Sequence, residues 1–238
     1  LNAKDVLIWT DVAGIYTTDP RVVSEAKRID TMSFAEAAEM ATFGAKVLHP
    51  ATLLPAVRSN IPVYVGSSKA PDAGGTWVTR DPQPRPTFRA IAVRRDQTLL
   101  TLSSLSMLHA QGFLANVFNV LAKYKISVDT ITTSEVSIAL TLDKTGSASS
   151  GVELLSPELL EELSQYCTVK VDTGLSLVAL IGNDLHLASG VAKRIFDTLE
   201  GYNIRMISYG ASTNNICMLA HSDKADDVVR SLHKSLFE

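Results

Sequence analysis

The sequence contains an internal repeat, and this repeat limits the possible folds more than any other feature. Gly112 and Gly190 each open a helix-like segment. At the spacing that separates these two glycines, apolar and aromatic positions recur: Phe118 with Phe196, Leu121 with Leu199, Tyr124 with Tyr202, and Ile126 with Ile204. A strand–helix–strand–strand unit used twice predicts two copies that pack together, because one unit alone buries too little apolar surface.

Both copies follow the same order of elements. In the first copy we predict strands at 98–105, 127–132 and 136–142, a helix at 112–123, and a second helix that begins at Ser156-Pro157. In the second copy we predict strands at 168–171, 176–182, 204–208 and 215–220, and helices at 190–199 and 225–236. The helix at 112–123 is amphipathic, with its apolar face formed by Phe113, Val117, Val120 and Leu121.

The region 1–80 has a different organisation, with the alternating strand and helix patterns of the α/β class. We predict buried strands at 6–9 and 62–66, and another strand at 74–79 after a tight turn. One helix begins at Ser33, which forms a capping box with Glu36, and a second helix has Pro50 in its first turn. Residues 81–87 contain three prolines and no apolar periodicity, and we therefore predict a linker there.

Composition excludes several classes of protein. The net charge of −3 gives no basic excess to neutralise nucleic-acid phosphates. No apolar run approaches the ~20 residues that a membrane-spanning helix requires, and no signal peptide is visible. Cys167 and Cys217 lie in apolar, strand-like runs, so we expect buried free thiols in a reducing cytoplasm. The chain begins without Met, inside a strand-like pattern, and we expect a fragment of a longer protein.

The two copies differ at two acidic positions. At the spacing of the two glycines, Asp129 corresponds to Ile207 and Glu135 to Thr213, so only the first copy carries carboxylates there. One interpretation is that both are solvated charges at strand ends. The other is that the first copy binds a cationic amino acid. Its ammonium groups would bind the carboxylates, and its carboxylate would bind backbone N–H groups at the start of the 112–123 helix.

Two sequence strings and the doubled unit together indicate a family. The strings are Trp9-Thr-Asp-Val-Ala-Gly-Ile-Tyr-Thr-Thr-Asp-Pro-Arg21 and Phe43-Gly-Ala-Lys-Val-Leu-His-Pro50. With the repeated βαββ unit they resemble aspartate kinases over essentially the whole chain, and residues 119–135 resemble the lysine-sensitive branch. The resemblance implies an α/β plus α+β architecture: the end of an amino-acid-kinase-fold domain, followed by tandem ferredoxin-like (βαββαβ) ACT domains.

The resemblance also implies domain boundaries. Residues 1–80 would form the C-terminal part of the nucleotide-binding kinase domain, and residues 81–87 the linker. Residues 94–173 would form the first, effector-binding ACT domain. Residues 88–93 and 174–238 would form the second, since in this family one ACT unit is inserted in the other.

Site residues follow from the same resemblance. The nucleotide would be contacted near the adenosine by Thr10 and Asp11, at the pocket wall by Tyr16, and at the phosphates by Arg21 and Lys46, with Val47 beside Lys46. Phosphoryl transfer needs such positive groups and Mg²⁺ to hold the spread negative charge. Lysine would be contacted by Met107, Ala110, Phe113, Leu114, Ser127, Val128, Asp129, Ser134 and Glu135. Ala110 departs from the family pattern, where a small hydroxyl residue is usual, so only a backbone contact is expected there.

The implied activity of the full-length protein is transfer of the γ-phosphoryl group of MgATP to the side-chain carboxylate of L-aspartate. L-Lysine would inhibit as an allosteric effector across an ACT–ACT interface of a cytoplasmic homodimer or tetramer, without nucleic-acid or membrane partners. The family's Lys-Phe-Gly-Gly-Thr-Ser-like stretch, which supplies a catalytic lysine, is absent here. We therefore predict no catalytic residue and no metal ligand in this chain, and no activity of the chain alone.

Three alternatives remain open. The first is a regulatory subunit with ACT domains and no catalytic duty, although such a subunit would not need the nucleotide strings of residues 1–80. The second is a kinase joined to homoserine dehydrogenase, which requires a dinucleotide fingerprint that does not follow the second repeat. The third is a kinase that senses threonine or methionine, against which Asp129 and Glu135 favour lysine.

Overall fold

The computed structural model describes residues 3–44, 50–105, 107, 111–143 and 154–238. In these residues the chain forms a four-stranded and a six-stranded β-sheet. The first sheet is built from the region 1–80, and the second is built from the repeated region. None of the helices in the described ranges is long and apolar enough to cross a membrane.

In its described residues, the first region contains four strands and two α-helices. They are β1 (Val6–Thr10), β2 (Thr31–Ser33), α1 (Phe34–Thr42), α2 (Pro50–Ser59), β3 (Val63–Ser67) and β4 (Gly75–Thr79). The strand order is β1-β3-β4-β2; β1 runs parallel to β3, β2 runs parallel to β4, and β3 and β4 are antiparallel. The predicted helices and strands are confirmed here, whereas the short strand β2 was missed.

The predicted capping box starts α1. Ser33 Oγ accepts the N–H of Glu36 at 3.1 Å, and Glu36 Oε2 accepts the N–H of Ser33 at 2.6 Å. The other carboxylate oxygen of Glu36 pairs with Arg89 Nε and accepts Asn183 Nδ2, each at 2.7 Å. Glu36 is fully buried, so the start of this helix is joined to the repeated region through one carboxylate.

The prediction that β1 is a buried strand was wrong. Leu7 is 53% exposed and Trp9 is 47% exposed. β1 is an outer strand of its sheet, and β3 is its one neighbour within the described ranges. Apolar composition shows that a strand can be buried, but burial also requires a second layer, and the described residues supply none over this face.

In its described residues, the repeated region contains six strands and four helices. They are β5 (Phe88–Ser103), α3 (Phe113–Lys123), β6 (Val128–Thr133), β7 (Ser137–Asp143), α4 (Pro157–Ser164), β8 (Thr168–Gly182), α5 (Val191–Thr198), β9 (Ile204–Tyr209), β10 (Asn215–His221) and α6 (Ala225–Phe237). The strand order is β6-β7-β5-β8-β10-β9, and all neighbours are antiparallel.

Two long strands, β5 and β8, serve both copies of the repeat. The second half of β5 pairs with β7 of the first copy, and its first half, from Phe88 to Arg94, pairs with the second half of β8. The strands predicted at 168–171 and 176–182 form one strand, β8. Gly174 has a φ of 69°, so the strand bends there without ending.

Alternate side chains of the long strands enter different cores. Ala90, Ala92 and Leu99 of β5 pack in a core shared with the four-stranded sheet. Leu100 and Leu102 pack with α3 and α4 in the core of the first copy. The predicted apolar face of α3 is confirmed, since all four of its residues are buried.

The two cysteines are free thiols, as predicted. Cys217 is buried, and desolvation, together with the nearby Glu39 carboxylate, raises the pKa of its thiol to about 12. Cys167 is only half-buried, which corrects the prediction that both would be buried. It follows the end of α4, where its Sγ donates to Leu163 O at 3.4 Å.

Candidate functional site

Two of the predicted nucleotide contacts lie at the carboxyl end of β1. Thr10 is the last residue of this strand, and its Oγ1 donates to Asp11 Oδ1 at 3.1 Å. Ser68, which follows β3, donates its N–H to Thr10 O at 2.7 Å. Because β1 and β3 are parallel, this is the edge at which open α/β sheets bind ligands. The exposed Asp11 is accessible to a ligand there.

Tyr16 and Arg21 lie on a loop, residues 15–29, that leaves this edge and returns to it. Ile29 donates its N–H to Ile15 O at 2.8 Å, and Thr17 donates its N–H to Lys27 O at 2.9 Å. Tyr16 is half-buried at the base of the 15–29 loop. The two backbone hydrogen bonds therefore fix the position of Tyr16.

The guanidinium group of Arg21 is oriented by Asp19. Arg21 Nη2 lies 2.7 Å from Asp19 Oδ2, and Arg21 Nε lies 3.0 Å from Oδ1. The hydrogen bonds from Arg21 hold the pKa of Asp19 below its usual value. The Arg21 side chain is 89% exposed, so its remaining donors are available to a phosphate. The other predicted phosphate contacts, Lys46 and Val47, lie outside the described residues.

The predicted lysine contacts fall into two groups in one chain. Met107, Phe113, Leu114, Ser134 and Glu135 form the first group, and Ser127, Val128 and Asp129 form the second. β6 runs in the same direction as the second half of β5, and α3 connects the end of β5 to the start of β6. The start of α3 therefore lies beside the end of β6. The second group lies at the start of β6, roughly 15–20 Å away along the strand. Ala110 lies outside the described residues.

Members of the first group differ in exposure. Phe113 is buried in the core of the first copy, and Met107 packs against that core. Leu114 and Glu135 are exposed. Ser134 Oγ accepts the N–H of Ser137 at 3.1 Å and so closes the β6–β7 turn.

Asp129 forms an ion pair that sequence reasoning missed. Arg94 Nη1 lies 3.0 Å from Asp129 Oδ1, and Arg94 also pairs with Asp143. Asp129 Oδ2 is buried without a hydrogen-bond partner in the part of the chain that the structure describes. Desolvation raises the pKa of Asp129, and the Arg94 guanidinium opposes this effect only partly. The available signal was an arginine within the apolar run of β5.

Strand register corrects one of the predicted correspondences between the copies. Val128 pairs with Leu142 in the first copy, and Ile204 pairs with Ala220 in the second. Equivalent residues of β7 and β10 are as far apart in sequence as Gly112 and Gly190. Equivalent residues of β6 and β9 are separated by fewer residues. The counterpart of Asp129 is thus Arg205, not Ile207. The second copy is basic at this position rather than neutral.

The two ion pairs have opposite polarity. In the first copy, Arg94 of β5 pairs with Asp129 of β6. In the second copy, Asp172 of β8 pairs with Arg205 of β9 at 2.9 Å. A guanidinium therefore occupies, in the second copy, the position where the first copy has a carboxylate.

The turn after β9 forms hydrogen bonds with a residue of the first region. Ser212, the counterpart of Ser134, donates from Oγ to Glu39 Oε1 at 2.8 Å, and Asn215 Nδ2 donates to Glu39 Oε2 at 2.8 Å. Glu39 belongs to α1 of the first region. The second copy thus uses this turn to contact α1, whereas the corresponding turn of the first copy is exposed. Among the described residues, no cluster of three or more His, Cys, Asp or Glu could hold a metal ion.

Comparison with known proteins identifies the two regions. Residues 1–67 match the amino acid kinase family, and residues 178–236 match an ACT domain. The whole chain is 67% identical over 238 residues to lysine-sensitive aspartokinase 3 of Escherichia coli (strain K12). Over its whole length, the chain is thus similar to aspartokinases. Its fold is the end of an amino acid kinase fold followed by ACT architecture, as the resemblance implied.

The chain spans about half the length of this relative: the match covers 100% of the chain and 53% of the E. coli protein. Two crystal structures of E. coli aspartokinase III each match 99% of the chain. The R-state complex with aspartate and ADP has a TM-score of 0.92 at 67% identity and is covered to 53%. The T-state complex with lysine and aspartate has a TM-score of 0.87 at 66% identity and is covered to 52%.

Proposed function

We propose that the full-length protein containing this chain is an aspartate kinase inhibited by L-lysine. It transfers the γ-phosphoryl group of ATP to the side-chain carboxylate of L-aspartate in the cytoplasm. The observation that carries the proposal is the 67% identity to a lysine-sensitive aspartokinase, which extends through both the kinase region and the repeated region. The E. coli enzyme has been crystallised with ADP in one complex and with lysine in another, and these are the nucleotide and the effector in our proposal.

In this proposal, the carboxyl end of β1 and the 15–29 loop bind the nucleotide. Thr10 and Asp11 contact the adenosine, Tyr16 forms a wall, and Arg21 contacts the phosphates together with Lys46. The open edge and the oriented, exposed guanidinium fit this role. Bound Mg²⁺ neutralises phosphate charge in such reactions. Among the described residues, no three His, Cys, Asp or Glu side chains cluster around a possible ion position.

A homodimer of the chain would complete the lysine site. β6 is an outer strand of its sheet. If two copies of β6 lie antiparallel about a two-fold axis, the start of each strand lies beside the end of the other. The group with Asp129 in one protomer then meets the group with Ser134 and Glu135 in its partner. This arrangement explains why the two groups are separated within one chain.

Asp129 Oδ2 is the atom that supports a cationic ligand most directly. A buried carboxylate oxygen without a partner costs free energy, and an ammonium group can supply the missing charge-assisted hydrogen bond. Glu135, on the other protomer, would bind a second ammonium group. Backbone N–H groups at the start of α3 would bind the carboxylate of the amino acid.

We also propose the domain boundaries that the resemblance implied: 1–80, 81–87, 94–173, and 88–93 with 174–238. The strand pairing supports an interleaved arrangement, because the first half of β5 pairs with β8 beside β10. The second half of β5 lies between β7 and β8. The β5–β8 register shifts just after the boundary at 93–94, between Arg94 and Gln97.

Calorimetry on this chain tests the effector assignment. Lysine should bind, and threonine and methionine should bind more weakly or not at all. A kinase assay on the full-length protein tests the activity: ADP release should require aspartate and decline with added lysine. Threonine binding without lysine binding would contradict the effector assignment, and ADP release independent of aspartate would contradict the substrate.

The chain alone should not phosphorylate aspartate, because it lacks the family's stretch with the catalytic lysine. A coupled ADP-release assay on the 238-residue chain measures this directly. Aspartate-dependent turnover by the chain would contradict the assignment of the catalytic residues to another part of the protein.

A further inference from the structure

Helix α6, the last helix of the second copy, packs against the 15–29 loop. Arg230 Nε donates to Val22 O at 3.2 Å, and Lys27 Nζ donates to Phe237 O at 3.3 Å. Val23, near the tip of the loop, is buried in the same core as the apolar face of α6. The loop with the proposed nucleotide contacts therefore rests on the C-terminal helix.

The centre of this contact is a hydrogen bond between Thr17 and His233. His233 is fully buried, and its Nε2 lies 3.0 Å from Thr17 Oγ1. Thr17 Oγ1 accepts the N–H of Lys27 at 3.0 Å, so the hydroxyl group of Thr17 can donate its own proton to His233 Nε2. The imidazole proton of His233 then lies on Nδ1. Within the described chain, Nδ1 has no hydrogen-bond partner, and Glu238 Oε1 lies 3.5 Å away. A buried nitrogen without a partner costs free energy, so packing alone does not account for histidine here.

Thr17 determines where the base of the loop lies. Its N–H donates to Lys27 O at 2.9 Å, and its carbonyl oxygen accepts the N–H of Ile91 in β5 at 2.7 Å. Tyr16 is the preceding residue and pairs through its backbone with Arg28. A displacement of Thr17 would therefore displace Tyr16 with it.

We propose that His233 is a positioning residue for the nucleotide site. It holds Thr17, and through Thr17 it holds Tyr16 and Arg21 where ATP binds. The inference rests on the proposed function and deepens it. Since α6 belongs to the second copy of the sensing region, this hydrogen bond also joins that region to the nucleotide site.

The test uses steady-state kinetics of the full-length protein with three variants: His233→Phe, Thr17→Val and the double variant. His233→Phe keeps a ring beside Phe237, on which His233 stacks at 5.0 Å, and removes Nε2. We expect each single variant to raise the KM for ATP by about 3- to 10-fold, the net contribution of one buried hydrogen bond. The KM for aspartate and kcat should change by less than about twofold. The double variant should be no worse than the more affected single variant, because both remove the same hydrogen bond.

Matched variants separate positioning from folding. Thr17→Ser keeps the hydroxyl group and should retain the KM for ATP. Lys234→Ala changes an exposed residue of α6 and should have no effect. If the buried variants do not fold, the double variant Lys27→Ala with Arg230→Ala removes the two partly exposed contacts, and it should raise the KM for ATP by about 2- to 3-fold.

An unchanged KM for ATP in His233→Phe and Thr17→Val would overturn the inference, as would effects that add in the double variant. If the buried variants do not fold, an unchanged KM in the Lys27→Ala/Arg230→Ala variant would overturn it. If the wild-type protein formed no ADP in response to aspartate, the proposed function would fail instead. ADP binding measured by calorimetry on the same variants would then still test the role of His233.

Discussion

The two oxygen atoms of the Asp129 carboxylate have different environments. Oδ1 is paired with Arg94, whereas Oδ2 is buried and unpaired among the described residues. Desolvation raises the pKa of this carboxyl group above its usual value. A raised pKa means that the folded state disfavours the ionised form, so Asp129 lowers the stability of the fold as the pH rises above about 4. A carboxylate retained at such a cost fits a role in ligand binding.

Asp129→Asn should therefore separate stability from binding. We expect the thermal midpoint at pH 7 to stay the same or increase, because Arg94 keeps Asp143 as a partner. Lysine affinity, measured by calorimetry, should fall at least about 10-fold, because a charge-assisted hydrogen bond is lost. Asp172→Asn, in the corresponding ion pair of the second copy, is the matched control and should leave lysine affinity unchanged. Full lysine affinity in Asp129→Asn would rule out the assigned contact.

Glu36 is a buried carboxylate with the opposite behaviour. Burial acts to raise its pKa, but hydrogen bonds from Ser33 N–H, Arg89 and Asn183 outweigh burial, and the pKa lies below its usual value of 4.5. For an acid with a lowered pKa, the stabilisation is complete above the unfolded value and is lost as the pH falls through the folded value.

Glu36→Gln should lower the free energy of unfolding at pH 7 by about 3 kcal/mol, since it leaves Arg89 buried without its charge partner. The difference from wild type should shrink as the pH falls below about 4.5. Urea denaturation between pH 3 and pH 7 measures both effects. Glu161→Gln, on the exposed side of α4, should show neither. A difference that stays constant with pH would contradict the ionic role of Glu36.

At the scale of elements, the sequence predicted what depends on local signals. The capping box at Ser33 started α1, and the apolar period of α3 identified its buried face, because both signals lie within about one or two helical turns. The two sequence strings at 9–21 and 43–50, and the acidic residue at position 129, could also be recognised from the sequence alone.

The missed features depend on residues far apart in sequence. Arg94 meets Asp129 only after the six-stranded sheet has formed, and Glu39 meets Ser212 only after α1 has packed against the repeated region. The shorter spacing between β6 and β9 arises because the connection at 210–214 is longer than the one at 134–136. Aligning the two copies at the single spacing of Gly112 and Gly190 could not reveal this difference in loop length, whereas the hydrogen-bond register of the strands does.

The end of β8 is held closely against the segment that precedes β5. A Cβ atom at Gly182 would lie 1.8 Å from Thr87 O, a backbone atom that cannot move without disturbing the β5–β8 pairing. Gly182→Ala should therefore lower the free energy of unfolding by about 1–3 kcal/mol or more. Gly201→Ala is the control, since no described atom lies within 4 Å of its added Cβ. Equal urea midpoints for the two variants would contradict this steric account.

At the scale of the whole molecule, two copies of one unit have acquired different neighbours. The second copy contacts α1 through Glu39 and the 15–29 loop through α6. The first copy leaves its β6–β7 turn exposed, and at the start of β6 it has Asp129 where the second copy has Arg205. The contacts with α1 and the 15–29 loop thus come from the second copy, whereas the turn that carries Ser134 and Glu135 in the first copy is exposed. This division fits the proposed function, in which the first copy must exchange its ligand while the second stays attached to the site that it controls.

The proposed pairing of two chains through β6 predicts both the mass of the protein in solution and its affinity for lysine. Ile131 lies on β6 and is 39% exposed. Ile131→Lys places two like charges at a two-fold interface, so we expect it to prevent dimer formation and to weaken lysine binding together. With saturating lysine, sedimentation should give the wild-type chain about twice its mass of 25.7 kDa and the variant the single mass. Leu187→Lys, at a position 71% exposed in the second copy, should behave as wild type. A dimeric Ile131→Lys variant with unchanged lysine affinity would show that the lysine site does not depend on β6 pairing, and the two groups of contacts would then need another route to meet.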